Sequence, residues 1–145
     1  MVAITVILAA VIASFVLGLG GNNEPAPQPT IESSLDNSTG NVTLSVTGGD
    51  AFEAGVVTLE GEIDGETLEA ELDGTSTSEI SAGDDIVIDL DDSAGTGSPS
   101  VFVNGEPVGA TSIPSNTDLS TADWELELVW NPADQNSQII YSDSS

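Results

Sequence analysis

The first twenty-one residues, MVAITVILAAVIASFVLGLGG, constrain this chain more than any other stretch. Met1 to Leu19 holds no charged residue, and its only polar side chains are Thr5 and Ser14. A helix of about 20 residues rising about 1.5 Å per residue spans the roughly 30 Å hydrocarbon core of a bilayer. The stretch is apolar all round, so its helix needs apolar surroundings on every side. Lipid supplies them, and so does a bundle of identical helices. Val and Ile are poor helix formers in water, but a backbone in apolar surroundings must satisfy its own hydrogen bonds. Ala9 and Ala13, and Ala10 and Ser14, recur four apart, a spacing of small side chains that lets helices approach closely. A plain membrane anchor could carry the same alanines. A secretory signal peptide fits less well, because there is no basic n-region and Gly20–Gly21 is a poor cleavage site.

Gly18, Gly20 and Gly21 end the apolar stretch, and residues 22–30, NNEPAPQPT, follow. Alternating Pro25, Pro27 and Pro29 favour an extended, semi-rigid spacer. Glu24 is the first charge. The division expected is therefore an apolar helix over 1–21, a linker over 22–30 and one water-facing domain over 31–145.

That domain carries a one-sided charge. The chain has 25 Asp and Glu and no Lys, Arg or His, a net charge of −25. Such a domain repels itself in dilute salt, and at 1 M salt a Debye length of about 3 Å removes most of the penalty. The charge is that of a protein adapted to a very salty exterior. The missing residue types exclude whole functions. No basic footprint exists for nucleic acid, nor any phosphate-clamping lysine or arginine. Without His or Cys there is no histidine triad, thiol nucleophile, zinc site or disulfide. No enzyme activity and no cofactor are expected.

After residue 30 the pattern has period two. Residues 42–47, 56–62, 67–72, 85–90, 101–103, 106–108, 124–130 and 138–141 read as strands. Asp64-Gly65 and Asn104-Gly105 are hairpin signals. Gly48-Gly49-Asp50, Asp73-Gly74 and Ala82-Gly83-Asp84 read as turns, and 110–122 as loop. Pro107 marks its strand as an edge. Trp124, Leu126, Leu128 and Trp130 alternate inward. The fold class expected is α+β: a long N-terminal hydrophobic α-helix, then an all-β antiparallel sandwich of seven or eight strands, immunoglobulin-like.

Two constellations bear on chemistry. Asn37-Ser38-Thr39 and Asn41-Val42-Thr43 match the N-glycosylation acceptor pattern, making Asn37 and Asn41 candidate acceptors. Asp84, Asp85, Asp89, Asp91 and Asp92 form the densest acidic run, and oxygen ligands so spaced could hold Ca²⁺. They do not match an EF-hand loop, and a solvated acidic face flanking a strand is the reading preferred.

The segment from Val2 to Gly20 closely resembles the hydrophobic segment of archaeal type IV pilins, particularly haloarchaeal ones. Gly48-Gly49-Asp50, Ala82-Gly83-Asp84 and Leu128-Val129-Trp130-Asn131-Pro132 resemble the family more loosely. The resemblance implies a surface filament, with N-terminal helices bundled in its core and β-domains outside. It implies subunits held in the membrane by the same helix before assembly, glycosylation, and roles in adhesion and biofilm formation. The partners implied are identical subunits and, before assembly, the membrane. The residues expected to pack the helices are Ile4, Ile7, Leu8, Ala9, Val11, Ile12, Ala13, Phe15 and Leu19. The family's processing residues have no counterpart in these 145 residues and are not assigned. The alternatives are a monomeric membrane-anchored domain that binds a ligand or partner, and an archaellum-type filament subunit.

Overall fold

Alternating side chains build nearly every element of the computed structural model, which describes residues 24–90, 99–114, 117–133 and 135–145. The helix expected over 1–21 lies outside the described residues. Among those residues no helix is long and apolar enough to cross a membrane.

Two five-stranded antiparallel sheets face one another. The front sheet runs β1 (Pro29–Asp36), β2 (Asn41–Gly49), β7 (Asp85–Asp89), β8 (Ser100–Val103), β9 (Glu106–Pro107). The back sheet runs β10 (Ala110–Ser112), β5 (Glu66–Glu71), β4 (Val57–Ile63), β11 (Trp124–Trp130), β12 (Gln138–Ser144). A small pair, β3 (Phe52–Glu53) with β6 (Glu79–Ile80), lies where the chain crosses between sheets. The architecture is the expected β-sandwich. The strand order differs from the immunoglobulin one. There the second of two later strands lies beside the second strand. Here β7, the earlier of the pair, takes that place and β8 lies outside it.

The core follows the alternation. Val42, Leu44 and Val46 of β2 and Ile86 and Ile88 of β7 are buried against Leu59 and Ile63 of β4, Leu68 and Ala70 of β5 and Leu126 and Leu128 of β11. Each large aliphatic side chain buried in this way contributes about 1.5–3 kcal/mol. No polar or charged residue is buried among the described residues. Trp124 and Trp130 are buried as expected, and the Trp124 Nε1–H donates to the Leu119 carbonyl at 3.2 Å, so its one polar atom is satisfied.

Asp64-Gly65 and Asn104-Gly105 make the two tight hairpins, with φ of 51° and 85°, and of 50° and 83°. Positive φ at both central residues is what a type I′ turn needs, and Asn, Asp and Gly bear it best. Pro107 does lie in an edge strand, opposite Phe102. Gly61 has another role. It faces inward opposite Leu126, and a Cβ there would come within 2.5 Å of the Glu125 carbonyl oxygen.

The structure corrects four readings of the sequence. β2 continues through Gly48 and Gly49, which pair with Thr30 and Pro29, so the chain turns only after Gly49. β10 lies inside the expected loop 110–122, held on the edge of β5 by pairing and by the Ser112 hydroxyl donating to the Thr67 carbonyl at 2.9 Å. Val56 belongs to a 3-10 turn, Ala54–Val56, before β4. There are twelve strands among the described residues, the additional ones being β1, β3, β6 and β10. Three of those four, β3, β6 and β10, are too short to carry a periodic signal, and β1 is exposed along nearly its whole length.

Candidate functional surfaces

The helix-packing residues Ile4, Ile7, Leu8, Ala9, Val11, Ile12, Ala13, Phe15 and Leu19 lie outside the described residues. The described chain starts at Glu24 and docks almost at once. Ala26 packs against the core, and Gln28 and Asp50 hold each other. The Asp50 N–H donates to the Gln28 carbonyl, and the Gln28 N–H donates to Asp50 Oδ2, both at 3.1 Å. β1 then starts at Pro29. A groove of about 540 Å³ opens at this foot of the sandwich, lined by Pro25, Pro27, Phe52, Val56, Trp130 and Pro132 with Glu24, Asp50 and Glu53 among them. At the other end of β4 and β11 an open depression of about 640 Å³ is lined by Glu62, Asp64, Asp123 and Glu125 with Trp124, Ser144 and Ser145.

The acidic residues fall into two kinds. Some are structural. Asp84 closes its turn by accepting from the Ser81 N–H at 2.8 Å, and also accepts from Asn104 Nδ2 at 2.9 Å. Asn104 Oδ1 in turn accepts the Asp85 N–H at 3.0 Å, so the second hairpin is tied to the start of β7. Asp36 caps the β1–β2 turn, accepting the Ser38 hydroxyl at 2.6 Å and the Ser38 N–H at 2.8 Å. Those two bonds, the hydroxyl first, hold its carboxyl below the usual carboxylate value. Glu106 accepts the hydroxyl and the N–H of Ser76 in the same way and is lowered for the same reason. Tyr141 is raised, chiefly by burial, in a seam where Ser33 of β1 donates to Asp143 of β12.

The other kind is a row of carboxylates on the outer face of the back sheet. Glu60 lies opposite Glu69 on β5 and Glu127 on β11, and Glu62 lies opposite Glu125. Sequence reading does not find this row, because it depends on register between strands far apart in the chain. The run that sequence singled out behaves differently. Asp84 and Asp85 lie at one end of β7 and Asp89 at the other, and Asp91 and Asp92 lie outside the described residues. Among the described residues no three acidic side chains are grouped to hold a metal ion.

The two acceptor asparagines sit four residues apart in unlike places. Asn37 is exposed in the turn between β1 and β2. Asn41 is half-buried as the first residue of β2.

Residues 1–31 match the family model for the N-terminal region of archaeal type IV pilins. The N-terminal segment of this chain is thus similar to that of archaeal type IV pilins, and the match reaches Ile31, inside β1. No curated protein matches the chain.

Proposed function

We propose that this protein is the structural subunit of an archaeal type IV pilus. The observation that carries the reading is the pilin match over residues 1–31, which joins an apolar stretch to a sandwich without a basic residue. In this reading the helix of 1–21 lies in the membrane first. It then leaves lipid for a bundle of identical helices, with Ile4, Ile7, Leu8, Val11, Ile12, Phe15 and Leu19 filling the contacts and Ala9 and Ala13 setting the approach. Both environments suit a rod that is apolar all round. The sandwich forms the outside of an extracellular filament that serves adhesion and biofilm formation. The domains cannot attract one another by charge, since every formal charge on their side chains is negative. Assembly therefore rests on the helices, with salt suppressing repulsion outside.

Bulky substitutions test the helix contacts. Ala9→Leu and Ala13→Leu leave membrane insertion intact, because both add apolar volume, and they abolish filaments in material sheared from the cell surface. Normal filaments from both variants would remove the close-packing claim. Recovery of the unaltered chain only as a dispersed detergent-extracted species would replace the filament by a membrane-anchored domain.

A further inference from the structure

We infer that Asn37 is the acceptor of an N-linked sugar and that Asn41, despite an equally good acceptor pattern, is not. The inference rests on export of the chain, as in the filament reading. Asn37 stands in the four-residue turn that links β1 to β2, exposed, and its carboxamide makes no hydrogen bond among the described residues. The residues beside it are exposed as well, and the turn is held open by Asp36, which binds Ser38, and by Gly40, whose N–H donates to the Asp36 carbonyl at 2.8 Å. The Thr39 of the pattern is exposed with it. Loop tips of this kind are where a modifying enzyme can seat a short stretch of chain.

Asn41 fails on each count. With its carboxamide set to satisfy its neighbours, Nδ2 donates one proton to Asp89 Oδ1 at 3.0 Å and the other to the Thr39 carbonyl at 3.1 Å. The next residue, Val42, is wholly buried. Thr43, which completes the pattern, is paired with Ser34 on one side and Val87 on the other, inside the sheet. Asn41 is thus a clamp between β2 and the end of β7.

The chemistry requires the difference. The donor is a sugar chain carried on a lipid phosphate. The amide Nδ2 forms a bond to the anomeric carbon, the bond from that carbon to the phosphate oxygen breaks with its electron pair staying on phosphate, and one amide proton is lost. Asn37 offers a free nitrogen for this. Asn41 would first break two hydrogen bonds and pull the start of an interior strand out of the sheet.

Mass spectrometry of the chain taken from the surface of cells that express it decides the matter. The chain has no Lys or Arg, so it is cut at Asp or Glu, and fragment ions between Ser38 and Gly40 separate the two asparagines. The expected result is a sugar mass on Asn37 and unmodified Asn41. Asn37→Gln loses that mass, whereas Thr43→Val, which destroys the second pattern but keeps a strand-forming side chain, leaves it unchanged. Sugar on Asn41, on both, or on neither overturns the inference. Sheared filaments that contain the chain without sugar on Asn37 overturn it alone and leave the pilus reading standing. A chain absent from the surface and unglycosylated overturns both.

Discussion

On the outer face of the back sheet, glutamates stand opposite glutamates: Glu60 between Glu69 and Glu127, and Glu62 beside Glu125. On the outer face of the front sheet, each acid meets a neutral partner. Glu32 and Asp85 both lie opposite Ser45, Asp36 lies opposite Asn41, and Asp89 lies opposite Ser100. The strands of the two faces share the same inward-outward alternation. They differ in what the central strands carry and hence in what faces what: β2 holds no acid, whereas β4, β5 and β11 each hold two glutamates outward, in a register that sets three pairs opposite one another. Like charges directly opposite one another destabilise a sheet by about 0.2–1 kcal/mol per pair. The dependence on salt that the composition implies is therefore concentrated on one face, where three such pairs lie on adjoining strands.

The comparison is broken most severely at Gly61, under the glutamate row. Gly61→Ala drives a Cβ into the Glu125 carbonyl, a backbone atom that cannot move without separating β4 from β11. A loss of about 3 kcal/mol is expected in urea unfolding at high salt. Gly48→Ala on the front sheet, where nothing lies within 4 Å of the added Cβ, leaves the midpoint nearly unchanged. Equal effects would show that the close approach at Gly61 is not real.

The comparison is sharpened by moving charge. Glu60→Gln removes two of the three opposed pairs and stabilises the domain by about 1 kcal/mol at low salt, with the gain shrinking as salt rises. Glu32→Gln on the front sheet gives less, since Ser45 already separates Glu32 from Asp85. Ser45→Glu makes the front sheet resemble the back one, opposing two acids at once, and raises the salt needed to fold by a similar margin. If Glu60→Gln and Glu32→Gln behave alike across a salt series, total charge and not register governs stability.

The smallest effect concerns pH. Asp36 and Glu106 titrate below their usual values in the folded domain because Ser38 and Ser76 hold the charged forms. A lowered folded value means that each favours folding above its unfolded value, and that this contribution fades as pH falls through the folded one. Ser38→Ala and Ser76→Ala should raise the titration points of Asp36 and Glu106 in carboxyl NMR. Their destabilisation relative to the parent should be present at neutral pH and vanish in acid. A difference that persists in acid would assign it to lost packing and not to the charge.

The sandwich was legible in the sequence because its strands are half-buried, so Leu68, Ala70 and Leu72, or Trp124 to Trp130, announce a face. Hairpins were legible where Asp64-Gly65 and Asn104-Gly105 demand positive φ. Three things were not. β1 is an edge strand with little buried surface, so it has no pattern to show. Strand order is set by crossovers that leave no local trace, hence the departure from the immunoglobulin arrangement. The opposed glutamates, and the difference between Asn37 and Asn41, depend on partners such as Asp89 that lie nearly fifty residues away in the chain. From its apolarity alone the stretch Val2 to Gly20 suits lipid or a helix bundle equally; the likeness to archaeal type IV pilins came from resemblance, and the family model matches the same segment.

Cryo-electron microscopy of filaments sheared from the cell surface tests the central claim most directly, with the chain identified in the same material by mass spectrometry. The account predicts a helical filament whose core is formed by residues 1–21 as packed α-helices, with the two-sheet domain outside and the hairpin tip at Asn37 open to solvent. Filaments that lack this chain, or a chain confined to the membrane as dispersed single subunits, would contradict it.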